Sequence, residues 1–534
     1  MRTMTLRAAL MTALALAAGQ LNAAQVTINP ATTYQTIDGL GGFGGMQPWW
    51  NSPPYYNQLF LNVLIDSLGL TILRTELYPK GPACGSGSGE NQVSMWTRQA
   101  PYLKALRQKA EASGEPLKFM GSVWSPPGGW KSDGSCVGGY LLPAHHNDYA
   151  QYLMDYASEF QDSVGAALYV ISPQNEPGFC FGYNSSCQLP ADFSPQVIAI
   201  ANYWATHQFT IPLSYADIVW WPDWLGQCVS WVCQNRVADS VCSILSIHYS
   251  GGPDDIAGTR EGDSLCGQMA AGYTDYRTVN RGKKSRLWNT EFGGQFSSWN
   301  ESQVDEGGNT PGAAWTFARN LYLCLYFNFN AVVYWQLCEP PHSNANGDHY
   351  SLFYSNPSAG TLQLGPLFRV AQQFYRFIRP GMVRVGASSN DAEVWTVAFT
   401  NASSGAFTVV ALNTGAAQKT LTLAGTGLPS TLNVRQTSPS QNFADLGTVA
   451  SNGSVTLPSR SVTTLYALGT TPVIPQPRAT AAPAAPVTRG PVAVCELDGK
   501  RVNVRPAVRG LTPGVYCVSG DGRVSARMQV ADQR

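Results

Sequence analysis

The chain has 534 residues, more than one ordinary domain needs and enough for a barrel enzyme with accessory domains. Lys plus Arg and Asp plus Glu number 34 each, so the formal net charge is zero, and charged residues make up only 13 % of the chain. Such a neutral, charge-poor chain has no electrostatic attraction for nucleic acid or for an anionic membrane, and neither is expected as a partner.

Residues 1–24 are typical of a secretory signal peptide. Two arginines precede an apolar run, Ala8–Ala18, and the small residues Ala23 and Ala24 offer a cleavage site. The run is too short to span a bilayer, so we expect a secreted, extracellular protein without a membrane span. Twelve cysteines fit an oxidising compartment and predict disulfide bonds between near neighbours, for example Cys180 with Cys187 and Cys495 with Cys517.

Residues 25–380 alternate short β-branched runs with segments of helical period. The segment Tyr149–Phe160 is the clearest helix, with apolar residues every three or four positions. Eight alternating β and α units predict a (β/α)8 TIM barrel, whose active site lies at the C-terminal strand ends. The structural alternative is a doubly wound open sheet, but no G-x-G-x-x-G sequence opens a helix. The eight predicted strands are Tyr34–Gly41, Leu70–Leu77, Leu117–Trp124, Ala167–Gln174, Thr210–Val219, Ser243–Tyr249, Arg286–Phe292 and Asn330–Leu337.

After residue 380 the period changes to two. Short alternating strands between Gly, Asn and Ser turns predict a β-sandwich side domain over residues 381–469, and residues 26–36 have the same character and are a candidate extra strand of it. Residues 470–491 are rich in Pro, Ala and Thr and predict an extended linker. Residues 492–534 then predict a small C-terminal β-module that contains Cys495 and Cys517.

Two glutamates carry the chemical prediction. Glu176 stands in Asn175-Glu176-Pro177 at the end of the fourth predicted strand, and Glu291 ends the seventh strand in Trp288-Asn289-Thr290-Glu291. Either motif alone is also compatible with an ordinary loop carboxylate. Strands four and seven face each other across a barrel mouth, so the two carboxylates are expected about 5 Å apart, as retaining cleavage of a glycosidic bond requires. We therefore predict Glu176 as the acid/base and Glu291 as the nucleophile.

Other strand ends supply candidate substrate-binding residues. Arg74 could hold Glu291 ionised, or form a structural ion pair with Glu76. Flat aromatic rings at Trp124 and Trp335 could form the floor of a sugar site, with core packing as the alternative. Three polar or aromatic candidates complete the set: Asn175, His248 and Tyr249.

These residues lie in motifs that resemble glycoside hydrolase family 30, which includes bacterial xylanases and glucosylceramidases. The resemblance covers roughly residues 26–468. The motifs, in chain order, are Thr36-Ile37-Asp38-Gly39, Leu73-Arg74-Thr75, Trp124-Ser125-Pro126-Pro127, the run 169–177 ending in Asn175-Glu176-Pro177, Leu287 to Glu291, Tyr334-Trp335, the run 377–384 and the run 461–466.

The resemblance implies a barrel fused to a β-sandwich built from both ends of the catalytic region, and a retaining mechanism without a metal or another cofactor. It places the acid/base on Glu176 and the nucleophile on Glu291. Two departures matter. Glucuronate-dependent members carry an arginine just after the strand-eight tryptophan, where this chain has Gln336-Leu337-Cys338-Glu339, so dependence on glucuronate is not expected. Tyr249 directly follows His248, whereas the family separates these two positions by one residue.

The predicted protein is a monomeric, secreted hydrolase of β-linked wall polysaccharide or oligosaccharide, with endo-β-1,4-xylanase as the first choice. The alternatives are a β-1,6-glucanase or galactanase and a glucosylceramidase-like exo-glycosidase. A non-catalytic carbohydrate-binding barrel is the alternative from another class. The terminal module is similar to sorting modules of exported bacterial enzymes, and a carbohydrate-binding or stalk module is the alternative.

Overall fold

The structure is a computed structural model. It describes residues 23–44, 56–77, 92–178, 182–218, 231–232, 234–248, 286–293, 311–339, 351–356 and 360–469, together with the strands of a C-terminal segment at 493–496, 501–502, 514–520 and 523–530. The predicted signal sequence up to residue 22, the predicted linker 470–491 and Tyr249 lie outside the described residues. None of the described helices has the length and apolar run that a membrane crossing needs.

Eight parallel strands form a closed barrel, which confirms the predicted fold class. Strand β1 (Ala23–Thr36) precedes the barrel and belongs to another sheet. Each barrel strand pairs with its neighbour in chain order, and β2 closes the ring on β9. The barrel strands are β2 (Gly39–Phe43), β3 (Ile72–Glu76), β4 (Lys118–Ser122), β5 (Val170–Ser172), β6 (Leu213–Ile218), β7 (Cys242–His248), β8 (Arg286–Phe292) and β9 (Ala331–Tyr334).

The predicted first strand, Tyr34–Gly41, was wrong in its bounds. The chain instead leaves β1 at Thr36 and enters the barrel at Gly39. Between them, Ile37 exchanges backbone hydrogen bonds with the segment that precedes the sandwich: its N–H donates to the Met382 carbonyl, and its carbonyl accepts from Gly381. Because of these hydrogen bonds, the run predicted as one strand contributes to two sheets, its first part to β1 and its last part to β2.

Helices cover the outside of the barrel. Helix α3, which contains the predicted Tyr149–Phe160 segment, buries Tyr149, Leu153, Tyr156 and Phe160 on one face at helical spacing, and it ends at Gly165 in the left-handed conformation. The described helices are α1 (Gln58–Asn62), continued by a π-helical turn at Val63–Leu68, α2 (Gln92–Ala112), α3 (His146–Val164), α4 (Pro190–Thr206), α5 (Arg236–Val241), α6 (Pro311–Tyr326) and α7 (Pro366–Tyr375). After the barrel, β10 (Cys338–Glu339), β11 (Phe353–Asn356) and β12 (Thr361–Gln363) form a small sheet.

The side domain is a nine-stranded sheet with its own apolar core, which includes Val26, Ile28, Val409 and Leu465. Strand β1 lies inside it, antiparallel to β13 and parallel to β16. Its other strands are β13 (Val383–Ser389), β14 (Val394–Asn401), β15 (Ala406–Asn413), β16 (Lys419–Gly425), β17 (Thr431–Ser438), β18 (Gln441–Ala450), β19 (Ser454–Leu457) and β20 (Ser461–Ala467).

The C-terminal segment forms a four-stranded sheet of β21 (Ala493–Glu496), β22 (Arg501–Val502), β23 (Gly514–Gly520) and β24 (Arg523–Val530). Cys495 and Cys517, predicted to pair, are directly opposite each other on β21 and β23. Elsewhere, Cys136 and Cys187 each take part in a disulfide bond. The predicted partner of Cys187, Cys180, lies outside the described residues.

Barrel closure requires glycine at position 41. A side chain there would overlap the carbonyl oxygen and Cβ of Ile72, its register partner on β3. We expect Gly41→Ala to destabilise the protein by about 3 kcal/mol or more, the upper end of the cost of overpacking, because a paired strand must shift. Thermal unfolding followed by near-ultraviolet circular dichroism measures this. Gly129→Ala is the matched control, since its Cβ would meet nothing within 4 Å; equal melting temperatures for the two variants would contradict the prediction.

Candidate active site

The C-terminal ends of the barrel strands bring the predicted site residues together. Arg74 lies on β3, His248 ends β7 and Glu291 is the penultimate residue of β8. The remaining described candidates follow directly after their strands: Trp124 after β4, Asn175 and Glu176 after β5, and Trp335 after β9.

The two glutamates face each other. One carboxylate oxygen of Glu176, one of Glu291 and one ring nitrogen of His248 all lie within 4.8 Å of one another. Both carboxylates are partly accessible, with 13 % of the Glu176 side chain and 21 % of the Glu291 side chain exposed. Two partly exposed carboxylates therefore lie within 4.8 Å of each other, close enough to act on the same glycosidic bond.

Glu176 is held by its backbone and by two side chains. Its φ of 45° lies in the left-handed region, which costs a non-glycine residue about 1–3 kcal/mol and persists only where the surrounding structure imposes it. Its N–H donates to the Asp217 carbonyl at 3.1 Å. The Tyr183 hydroxyl donates to Oε2 at 2.6 Å, and Nδ1 of His248 lies 2.9 Å from Oε1. Both carboxylate oxygens are thus hydrogen-bonded.

Arg74 fixes the second glutamate. Its side chain is fully buried, and its Nη1 donates to Glu291 Oε2 at 2.7 Å. Nη2 donates to Asn175 Oδ1 at 2.5 Å and Nε donates to Ser122 Oγ at 3.0 Å. The described ion pairs of Arg74 are with Glu291 and Asp217, so the prediction that Arg74 contacts the nucleophile fits the geometry better than the alternative of an ion pair with Glu76.

His248 lies between the two carboxylates. Nδ1 is 2.9 Å from Glu176 and 3.5 Å from Glu291, while Nε2 is 3.5 Å from an Arg74 nitrogen that can only donate. We assign the Nδ1–H tautomer on this network. Burial disfavours a charged imidazole, but the charge of Glu291 and the hydrogen bond with Glu176 outweigh it and raise the pKa of His248.

The two carboxyl groups and His248 lie close enough together that the protonation of each affects the others. Burial raises the pKa of Glu176, but hydrogen bonds from His248 and Tyr183 outweigh burial and bring this pKa below its usual range. Burial also raises the pKa of Glu291; the charge of Glu176 adds to this effect, and His248 and Arg74 oppose it. The donors on the two carboxylate oxygens of Glu176 therefore favour its anionic form.

Three aromatic rings line the neighbouring wall. The ring of Phe43 stacks on Trp335 with centroids 4.4 Å apart, and Trp124 lies 5.9 Å from Trp335. Trp335 is half-buried, so part of its ring is available to a ligand. Trp124 is 8 % exposed and covers the Arg74 guanidinium, 4.9 Å from its ring centroid. Trp335 is thus the better candidate for a sugar platform, whereas Trp124 contributes by packing on Arg74.

Two residues of the site, Tyr183 and Asp217, are not among those predicted from the sequence. Tyr183 lies after Glu176 on a loop that is bound to the 131–141 hairpin: Ser185 accepts from buried Lys131 at 2.7 Å and donates to the Cys136 carbonyl at 3.1 Å. Asp217 is fully buried on β6. An aspartate placed near the end of a barrel strand was a usable signal for Asp217, but no motif marked Tyr183.

Glu176, His248 and Glu291 also form a group that could hold a metal ion. The donor set argues against a divalent cation at this position. Arg74 already places its positive charge 2.7 Å from Glu291 Oε2, and a metal bound to the same carboxylate would stand beside that guanidinium. The group therefore fits a hydrogen-bonded acid–base arrangement better than a metal centre.

Comparison with known proteins points to one family. Residues 381–465 match the glycosyl hydrolase family 30 β-sandwich domain. A 78-residue segment is 37 % identical to an endo-1,6-β-D-glucanase of Neurospora crassa, and it spans 14 % of this chain and 15 % of that protein's length.

Solved structures share the fold over most of the chain. A family 30 subfamily 8 xylanase from Clostridium acetobutylicum has a TM-score of 0.62 at 24 % identity and covers 83 % of this chain and 100 % of its own. Xylanase C from Talaromyces cellulolyticus has a TM-score of 0.62 at 20 % identity, and the match covers 83 % of this chain and 99 % of the xylanase. An endo-β-1,6-glucanase has a TM-score of 0.61 at 18 % identity, and the match covers 83 % of this chain and 94 % of the glucanase. The resemblance seen in the sequence is confirmed: residues 381–465 match the glycosyl hydrolase family 30 β-sandwich domain, and the chain shares the fold of solved family 30 structures.

Proposed function

We propose that the protein is a retaining glycoside hydrolase of β-linked polysaccharide, with Glu291 as nucleophile and Glu176 as acid/base. The observation that carries the proposal is the approach of the two carboxylates within 4.8 Å at the open end of the barrel. Retaining enzymes place these groups about 5–5.5 Å apart, whereas inverting enzymes leave about 6.5–9.5 Å for a water molecule. Two carboxylates in this position also disfavour a purely binding barrel.

In the first step, Glu291 attacks the anomeric carbon while Glu176 protonates the leaving oxygen. Arg74 binds Oε2 of Glu291, so Oε1 is the attacking atom. The bond from carbon to the leaving oxygen breaks, its electron pair takes the proton of Glu176, and a covalent glycosyl–enzyme ester forms. In the second step, Glu176 as carboxylate removes a proton from water, which attacks the same carbon and releases Glu291.

Protonation of Glu176 is coupled to substrate binding. The Tyr183 hydroxyl donates a hydrogen bond to Oε2 of Glu176. The leaving-group oxygen must approach this same carboxylate. A bound sugar that displaces this hydroxyl removes a hydrogen bond that favours the carboxylate anion, and the pKa of Glu176 then rises toward the value a general acid needs. Trp335 provides the partly exposed ring on which the sugar can stack.

For the substrate, we propose linear β-1,4-xylan without dependence on glucuronate, because the segment after Trp335 carries Glu339 where a cation would be needed to bind an acidic side group. The similarity to solved xylanases supports this choice. The second candidate is β-1,6-glucan, favoured by the 37 % identical segment of a glucanase named for that linkage. We propose in addition that the protein is exported, monomeric and independent of a metal or another cofactor.

Replacement of the nucleophile tests the mechanism. We expect Glu291→Ala to lower the turnover of an activated aryl β-glycoside by at least about three orders of magnitude, because the covalent step is lost. Azide can enter the space that the carboxylate leaves and should restore turnover with an α-glycosyl azide as product. Nuclear magnetic resonance of the product identifies its anomeric configuration.

The acid/base variant Glu176→Ala is the matched comparison. It retains the nucleophile, so azide should attack the glycosyl–enzyme and give the β-azide. It should also slow polysaccharide cleavage far more than cleavage of activated aryl glycosides, whose leaving groups need little protonation. Interchanged azide products would exchange the two roles, and Glu291→Ala with wild-type turnover would remove the proposed function.

Tyr183→Phe tests the coupling of the Glu176 proton to substrate. Loss of a hydrogen bond to the carboxylate form raises the pKa of Glu176 in the free enzyme, so the acid stays protonated to higher pH. The basic limb of kcat/KM should move up by about one pH unit, the effect of one hydrogen bond to a charged group. The basic limb of kcat should not move, because substrate has already displaced the hydroxyl. Tyr140→Phe, which changes a similarly exposed tyrosine on the 131–141 hairpin, serves as control; equal shifts in the two kcat/KM profiles would contradict the coupling.

A substrate panel separates the two candidates. Release of reducing ends from linear xylan, glucuronoxylan, arabinoxylan and β-1,6-glucan should be fastest on xylans. Linear xylan and glucuronoxylan should be cleaved at rates within about tenfold, a difference of about 1.4 kcal/mol in activation free energy, because no contact with the acidic group is expected to distinguish them. Faster cleavage of β-1,6-glucan would establish the second candidate. Cleavage of glucuronoxylan alone would show that the acidic group is bound after all.

A further inference from the structure

Asp217 is a fully buried aspartate at the penultimate position of β6, and the mechanism above does not use it. Burying a charge is costly unless partners compensate it. Its Oδ1 accepts from the Thr290 hydroxyl at 2.5 Å, and its Oδ2 lies 3.8 Å from Arg74 Nη2. Burial raises the pKa of Asp217, but the Arg74 and His248 charges outweigh burial and lower it. Asp217 is therefore ionised within the site.

The backbone of Asp217 is tied to the acid/base. Its carbonyl accepts the Glu176 N–H at 3.1 Å, and both residues have positive φ, 38° for Asp217 and 45° for Glu176. Its own N–H donates to the Ser246 hydroxyl at 3.1 Å, two residues before His248. Two left-handed non-glycine residues that share a hydrogen bond indicate that this part of the barrel rim imposes the conformation of Glu176.

The side chain of Asp217 reaches the other site residues. Thr290, its hydroxyl donor, directly precedes Glu291, and Arg74 is the ion-pair partner of both Asp217 and Glu291. The titratable and charged groups that face Asp217 in the described site are Arg74, Glu176, His248 and Glu291. Asp217 contacts Arg74 and the backbone of Glu176 directly, and it reaches His248 and Glu291 through Ser246 and Thr290 on their strands.

We propose that Asp217 is a positioning residue that holds Glu176 and Glu291 in register and offsets the positive charge of Arg74, so that Glu176 can take up its proton when substrate binds. The inference rests on the proposed glycosidase function and deepens it. Without this charge, Arg74 and His248 would act on the two glutamates uncompensated. The carboxylate form of Glu176 would then be favoured and its proton lost at lower pH.

Asp217→Asn tests the charge with little change of shape. Its amide oxygen can still accept from Thr290, and its backbone contacts stay. We expect kcat/KM on an aryl β-glycoside to fall by about 10- to 100-fold at neutral pH, and the basic limb of its pH profile to move down by about one unit. The melting temperature is measured on the same samples. A purely structural role would lower the melting temperature and leave the profile in place, and that result would overturn the proposal.

Asp239→Asn is the matched control, since Asp239 is another buried aspartate but lies on the outer helix α5. It should leave the pH profile unchanged. A second pair of variants keeps the test valid if Asp217→Asn does not fold. Thr290→Val removes the hydroxyl that orients the carboxylate and should lower kcat by about tenfold, while Thr290→Ser keeps the hydroxyl and should restore it. Wild-type kcat in Thr290→Val would contradict the positioning role.

Different results would contradict the glycosidase function and the positioning role of Asp217. An inactive wild-type protein, or an active Glu291→Ala variant, removes the proposed function itself. An active wild type with an inactive Glu291→Ala variant, combined with a wild-type pH profile in Asp217→Asn, removes only the role of Asp217.

Discussion

The candidate site depends on one buried cation. Arg74 has no solvent contact, and its charge is compensated by Glu291 at 2.7 Å and Asp217 at 3.8 Å, while Asn175 accepts a further hydrogen bond. Truncation of one partner in such a buried arrangement leaves the other charge uncompensated, which costs about 3–5 kcal/mol. Arg74 lies on β3, and its partners come from β6, β8 and the end of β5. The guanidinium therefore sets the relative positions of the strands that carry the carboxylates. The arrangement of the site is therefore part of the stability of the barrel rim.

Much of the fold follows from the period of the apolar residues. Buried parallel strands give short continuous apolar runs, and each of the eight predicted runs overlaps a barrel strand because helical segments separate them, although the first does so only at residues 39–41. The boundary at Thr36–Gly39 could not be placed in this way, since both sides of it are extended and apolar. The residues before this boundary belong to the side domain because they pair with β13, almost 350 residues later in the chain. The local sequence does not indicate such a distant partner.

The site was predictable where a residue type and a strand end coincide, as for Glu176, Glu291, Arg74 and His248. The same reasoning did not separate the two tryptophans: Trp124 packs on Arg74, whereas Trp335 keeps part of its ring accessible. That difference depends on which side chains pack against each ring, which composition does not specify. Tyr183 reaches Glu176 only because buried Lys131 and the Cys136 region anchor its loop. Contacts of this kind depend on tertiary structure and leave no local pattern.

Strand β1 lies between β13 and β16, which have no other strand between them. Strand β1 is synthesised before the barrel and its two neighbours only after it, so β1 has no pairing partner while the barrel is made. Pairings so distant in sequence form slowly, and an exposed β-edge invites association with other chains. A fragment that began at residue 381 would lack the strand that joins two parts of its sheet. The side domain is thus complete only when both ends of the catalytic region are present, and its assembly can serve as the last step that joins them.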